Sequence, residues 1–496
     1  MIKKWIVAFD QGTTSSRALA FDMEGHVVAK RQIETELDYP HFGRVEQSPE
    51  FIWQQQLAVF ELLLRDLQAQ PHDIAAIGIS NQRETTVIWD KKTGQAIYPA
   101  ISWQDTRTQA DCQKIRNSQD ASWICDKTGL LPDAYFSASK VKWILDNVEG
   151  AREQAQRGEL AFGTIDSWLV WNMSGQKTHI TDITNASRTM LYDIHRQVWD
   201  SDLLAYFDIP AEILPQVVDC SGELAIFEYQ NSQIPICGIA GDQQAALFGQ
   251  TCFHPGMAKN TYGTGCFLLM NTGKKIIRSH NQLLSTVAWR INGDIQYALE
   301  GSVFVAGSAV QWMRDALHFI DNAAESEALA QNAEESELVI VPAFSGLGAP
   351  YWQGRAKGAV FGMDFSTGQA EFCRAVLQSL AFQTADLIDA MCSDTGEPFV
   401  KLNVDGGACA NGYLMQYQAD ILNCPVDVPL EHELTATGAA YLAGLHLKWW
   451  DMQTLAQKRE IAHLYQPQIT PIERQKALEK WQRAVKCTLA WADDRA

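Results

Sequence analysis

WIVAFDQGTTSSRALAFD, residues 5–22, is the stretch whose reading decides the fold. An apolar run ends at Asp10, Gln11-Gly12-Thr13-Thr14 supplies a tight turn, and Ser15 to Asp22 returns as a second apolar run. Glu24-Gly25 then turns into residues 26–33, so the pattern predicts a three-stranded meander. Ser48-Pro49-Glu50 offers an N-cap, a first-turn proline and a first-turn acid, and Trp53, Leu57, Phe60 and Leu64 recur on one face of the helix that follows. A buried strand at 74–79 comes next.

Half a chain later the same grammar recurs. Strand 258–262, the turn Gly263-Thr264-Gly265 and strand 266–270 are followed by the turn Asn271-Thr272-Gly273, a strand near 285–290, an Asn292-Gly293 turn and strand 295–300. After Gly301-Ser302, Val305, Ala309, Trp312, Met313 and Leu317 have helical spacing. The repeat is one of pattern, and it predicts two similar α/β halves divided between residues 248 and 249. The end of the chain, from the capping box Thr470-Pro471-x-Glu473, reads as a packed helix with Leu478, Trp481, Val485 and Leu489 on one face and Lys476, Lys480, Arg483 and Lys486 as a solvated face.

The turn at 10–17 has chemistry to offer. Gly12 lets backbone approach a ligand, Thr13, Thr14, Ser15 and Ser16 present amides and hydroxyls to phosphate oxygens, Arg17 adds positive charge, and Asp10 can hold Mg2+ through water. An ordinary hairpin with an Asp at its mouth has the same appearance. Three later glycine turns support the phosphate reading: Thr261 to Gly265, Gly301 with Gly307, and Asp405-Gly406-Gly407-Ala408. The P-loop and dinucleotide glycine patterns are both missing from the chain. Asn81 to Thr85 follows a buried strand and sets Arg83 beside Glu84, a donor fork and an acceptor suited to a small polyol, or equally a surface ion pair. Asp242, with Gln243, follows the apolar run 234–240, where its carboxylate can take a proton from a hydroxyl during phosphoryl transfer or act as a helix N-cap.

Composition narrows the classes. The 496 residues carry 40 Lys+Arg against 59 Asp+Glu, a net charge of −19, which disfavours nucleic acid and anionic membrane surfaces. The 11 Cys show no Cys-x-x-Cys spacing and fit a reducing, cytoplasmic setting. The opening apolar run is too short for a signal segment, no stretch reads as a membrane span, and the His show no metal-ligand spacing.

With these segments in one order, and with YFSASKVKWILDN (135–147), TDITNASRTML (181–191), PAFSGLGAPYW (342–352) and ELTATGAAYLAG (433–444), the chain resembles the FGGY family of sugar and polyol kinases over nearly its whole length. The resemblance implies two actin-like, ribonuclease-H-like α/β ATPase domains flanking a central cleft, residues 1–248 carrying the acceptor pocket and part of the phosphate site and 249–496 binding the nucleotide. It implies ATP-dependent phosphorylation of glycerol, with Asp242 as general base, Arg83, Glu84, Tyr135, Asp242 and Gln243 on glycerol, and Trp103 and Phe267 facing its carbons. Thr13, Thr14, Ser15, Arg17, Thr264, Gly307, Gln311, Gly407 and Asn411 match ATP or ADP positions, and Asp10 the Mg2+-associated acid. Dimers or tetramers are common among such proteins, so a homo-oligomer is expected. The chain departs from the family pattern at Phe361 to Ser366, where many relatives have Thr-Arg-Gly, and at Phe227 to Gln233, where some bacterial members carry a Gly- and Arg-containing loop tied to inhibition by fructose 1,6-bisphosphate. Weak or absent inhibition by that effector is the expectation.

Overall fold

One twisted sheet of thirteen strands runs through the molecule, a computed structural model that describes residues 3–493. Its strands are β1 (Trp5–Gln11), β2 (Ser15–Phe21), β3 (Val27–Glu34), β4 (Ile74–Asn81), β5 (Ser221–Tyr229), β6 (Ser232–Gly241), β7 (Ala258–Tyr262), β8 (Cys266–Gly273), β9 (Leu284–Ile291), β10 (Asp294–Val303), β11 (Leu402–Asp405), β12 (Val426–Pro429) and β13 (Ile461–Tyr465). They lie in the order β13-β12-β11-β7-β8-β10-β9-β5-β6-β4-β1-β2-β3. The main helices are α1 (Pro49–Asp66), α2 (Asp242–Gly249), α3 (Gly307–Asp315), α4 (Gln369–Thr395), α5 (Gly412–Leu422), α6 (Leu434–His446) and α7 (Pro471–Asp493).

Each half repeats one arrangement. In the first, the antiparallel trio β3-β2-β1 continues into β4, parallel to β1, and β6, parallel to β4, while β5 pairs antiparallel with β6. In the second, β10-β8-β7 forms the antiparallel trio and continues into parallel β11 and β12. The strand expected near 285–290 is β9, which pairs with β10 at the outer side of the trio and meets β5 through the pair Ser221 and Ile291. Two glycine signals read differently. Asn271 to Gly273 completes β8, and Gly301 lies within β10 with its α-carbon against Leu387, where a side chain would not fit.

Parallel pairing aligns the strand ends. Gln11, Asn81 and Gly241 stand opposite one another across β1, β4 and β6, so the loops beginning at Gly12, Gln82 and Asp242 leave the sheet at one edge. Thr261 pairs with Asp405 in the same way, so Gly263 and Gly406 emerge together. Ligands in open α/β sheets bind outside these carboxyl ends.

Helix packing completes the layers. Ser48 caps α1 by accepting from Phe51 N, and Ile52, Val59, Phe60 and Leu63 bury against one face of the first half. On the other face lies α6, which comes from the far end of the chain yet packs on β1, β4 and β6. Small residues permit the approach: a β-carbon on Gly78 would overlap the Ala439 carbonyl, one on Gly249 the Leu434 carbonyl, and one on Gly438 the Ala245 carbonyl. The last two contacts lock α2 to α6, and α2 begins with Asp242. The capping box of α7 forms as expected, and Trp481 stacks on Phe382 at 5.3 Å and donates to Asp386 at 2.8 Å. Lys476, Arg483 and Lys486 face solvent. All eleven Cys are unpaired.

Candidate functional site

Arg83 and Glu84 are interior residues, 2% and 1% exposed, so the surface ion-pair alternative does not hold. Glu84 takes φ of 61°, which turns the chain sharply after β4 and sends both side chains inward. Arg83 grips Glu300 of β10 bidentately, Nη1 to Oε2 at 2.7 Å and Nη2 to Oε1 at 3.0 Å. Arg188 donates to Glu84 Oε1 at 2.7 Å and to Glu300 Oε1 at 2.9 Å. Two guanidiniums and two carboxylates thus close a buried ring that spans both halves of the chain. Burial would raise the Glu300 carboxyl, but Arg188 and Arg83 overcome it and hold it at about 2. Burial raises Glu84 more than Arg83 and Arg188 lower it. The ring leaves Arg83 with Nε 3.3 Å from Asp242 Oδ1, an ion-pair contact without a hydrogen bond, and with Nη2 donating to the Tyr135 hydroxyl at 3.3 Å.

Asp242 is partly open to the cleft, its side chain 30% exposed. It is the first residue of α2, with Gly241 at the cap position, so its carboxylate is not the helix N-cap. A β-carbon on Gly241 would press on the Arg83 side chain; glycine there lets Arg83 lie under Asp242. The aromatic candidates converge beside this carboxylate. Trp103 packs edge-on against Tyr135 at 5.6 Å and against Phe267 at 6.3 Å. Trp103 Nε1 also donates to Thr13 Oγ1 at 2.9 Å, joining the aromatic wall to the hairpin 12–15.

The hairpin itself is tight, with Gly12 N donating to Ser15 O at 2.9 Å. Thr14 is exposed at its tip and Ser15 buried. Asp10 lies beneath, pushed up to about 6 by burial, eased by Arg17 and reinforced by the nearby charges of Asp242 and Glu433. Arg17 pairs with Asp10 at 3.4 Å and with Glu433, just before α6, at 3.1 Å. A hard-oxygen donor in a negative field suits Mg2+. Among the described residues no cluster of three or more ligating side chains forms a cage.

A cavity of about 510 Å³ opens in the second half, and Thr264, Gly307, Gln311, Gly407 and Asn411 all line it. Gly406 turns the chain at φ 91°, packed so closely on Tyr262 that only glycine fits, and the open face of Gly407 looks into the space. Asn411 caps α5 by accepting from Leu414 N and donates to Ser326 at 3.2 Å. Tyr262, Val310, Leu377 and Ala408 give one side an apolar lining that suits a planar heterocycle. Gly301, grouped with Gly307 in the sequence, is buried in the sheet away from this lining.

Motif reading passed over Glu300, Arg188 and Lys259. Arg188 lies inside the quoted stretch 181–191, but its role comes from partners 104 and 112 positions away. Glu300 stands in an apolar strand, where a lone acid among Tyr297, Ala298 and Leu299 is the one signal that marks it.

Two family models match most of the chain: the N-terminal domain of the FGGY family of carbohydrate kinases matches residues 5–249 and its C-terminal domain residues 258–447. The chain is similar to a glycerol kinase of Carboxydothermus hydrogenoformans, 52% identical over 99% of both chains. In structure it is similar to Plasmodium falciparum glycerol kinase with ADP, at TM-score 0.93 and 34% identity, covering 98% of both chains. A ligand-bound xylulose kinase from Lactobacillus acidophilus shares the fold, at TM-score 0.88 and 21% identity, over 99% of this chain and 98% of that one.

Proposed function

The chain belongs to the FGGY family of carbohydrate kinases, and on that premise we propose that it transfers the γ-phosphoryl group of ATP in line to a terminal hydroxyl of glycerol. The product is sn-glycerol 3-phosphate, and the reaction is the first step of glycerol catabolism. One observation carries the reading. The partly exposed Asp242 carboxylate sits against Arg83, beside the aromatic wall of Trp103, Tyr135 and Phe267, and that wall is hydrogen-bonded to the hairpin 12–15. An acceptor pocket therefore adjoins a phosphate cradle. The whole-length identity to a glycerol kinase supports the three-carbon substrate over a ketose.

In this reading Asp242 accepts the proton of the attacking hydroxyl while Arg83, Glu84, Tyr135 and Gln243 hold the remaining oxygens and Trp103 and Phe267 cover the carbons. Thr13, Thr14, Ser15 and Arg17 face the phosphates, and Thr264, Gly307, Gln311, Gly407 and Asn411 hold the nucleotide. Asp10 would hold Mg2+, which would neutralise charge on the phosphate oxygens when bound. Closure of the halves excludes water, which would compete for the phosphoryl group. We also read the protein as a cytoplasmic homo-oligomer, a dimer or tetramer, to be checked by light scattering.

The test is ADP release from Mg-ATP with glycerol, dihydroxyacetone, xylulose or no acceptor, for the parent and for Asp242→Asn. We expect glycerol-dependent turnover that falls about 10²–10⁴-fold in the variant, the usual contribution of a general base. Release that ignores every acceptor refutes the kinase reading, and turnover with a ketose alone refutes the substrate.

A further inference from the structure

Lys259 lies on β7 with 0% of its surface exposed, and the reaction above gives it no task. Its ammonium donates to Gln243 Oε1, to Thr261 Oγ1 at 2.8 Å and to the Phe267 carbonyl at 3.3 Å. The three ammonium protons thus meet three acceptors, none of them a carboxylate. Burial pushes its pKa down to about 8, with Asp405 and Asp242 opposing from farther off. A buried cation with neutral partners is costly to maintain, and two of the partners, Gln243 and Phe267, belong to the proposed acceptor pocket.

We propose that Lys259 is a positioning residue that fixes the Gln243 amide, so that Nε2 faces the acceptor pocket as a hydrogen-bond donor beside the proton-accepting Asp242. An ammonium has no lone pair, so a flipped amide would set Nε2 against Nζ, donor against donor, and strand both. The amide therefore has one orientation. A substrate hydroxyl meeting Gln243 must accept from it, which leaves the hydroxyl proton directed elsewhere, toward the one partly exposed carboxylate adjoining it in sequence, Asp242. Through the Phe267 carbonyl the same lysine also holds the strand that carries the ring of the pocket wall. The inference rests on the reading of Gln243 as an acceptor-binding residue.

A double-mutant cycle tests it, using the full chain with glycerol and Mg-ATP and thermal melts to confirm folding. Lys259→Met is expected to raise the glycerol KM about tenfold or more while the ATP KM stays within about twofold. In a Gln243→Leu background the same substitution should change the glycerol KM less than about twofold, because residues acting as one unit are not additive. If Lys259→Met does not accumulate folded, Lys259→Gln, which can still donate to Gln243 Oε1, replaces it in the cycle with a smaller rise expected. Equal rises in both backgrounds, or an unchanged glycerol KM with an unchanged kcat, overturn the proposal alone. A Gln243→Leu variant with the parent's glycerol KM overturns the role of Gln243 and the proposal with it. Failure of the substrate reading shows separately, as parent turnover indifferent to glycerol.

Discussion

Replacing Glu300 by Gln keeps the shape of the buried ring and removes one of its two negative charges, leaving Arg83 and Arg188 to share Glu84. The magnitude follows from the ring itself. Holding the Glu300 carboxyl at about 2 in place of 4.5 corresponds to about 3 kcal/mol, in line with the roughly 3–5 kcal/mol lost when one partner leaves a buried ion pair. Glu300→Gln should therefore lower stability by about 3 kcal/mol at pH 7. The sign with pH is fixed by the depressed value: the contribution is complete above about pH 4.5, the unfolded value, and is lost as pH falls toward 2. The gap between parent and variant in urea unfolding, followed by tryptophan fluorescence, should be full at pH 7 and narrow below pH 4.5. Because Arg83 also loses its bidentate anchor, the glycerol KM should rise while the ATP KM holds. An unchanged urea midpoint at pH 7, or a gap that stays constant as pH falls, would refute the argument that Glu300 works as the charged clamp of Arg83 and Arg188.

Gly438→Ala drives a methyl group into the Ala245 carbonyl and toward Gly249 N, backbone atoms that no rotamer change can move. It should cost about 1–3 kcal/mol or more and, by displacing α2 and Asp242, lower kcat together with the melting temperature; an alanine variant with parental values of both would contradict it. The stretch 227–233 ends β5, turns at Gln230 and Asn231, both at positive φ, and begins β6. Residues 227–233 contain no Lys, Arg or Gly, and Lys177 nearby is paired with Glu228, so titration with fructose 1,6-bisphosphate should leave activity unchanged, and a tight, saturable loss would refute this.

Local physics made much of the molecule legible in the sequence. The β1-β2 hairpin, the Ser48 cap of α1, the capping box of α7 and the strand-turn-strand of β7 and β8 each depend on residues within a few positions of one another, where turn chemistry, capping and hydrophobic period act. The candidate loops were legible because parallel pairing delivers strand ends to one edge, and the strand ends carried Gly or Asp signals or, after β4, the adjacent Arg83 and Glu84. Which side chains meet there is another matter. Arg83 finds Glu300 across 217 positions, Arg17 finds Glu433 across 416, and α6 reaches the first half's sheet from the far end of the chain. Gly301 carries the same letter as Gly307, yet one is packing and the other cavity wall, because register within β10 sets one into the sheet and the helix start opens the other to the cleft. The single chain therefore determined its local elements and the edge where they end, since those follow from short-range sterics and periodicity. Only the tertiary structure decided the buried charge ring, the lysine held by neutral acceptors and the aromatic wall, since their energies come from desolvation and from partners that no local pattern names.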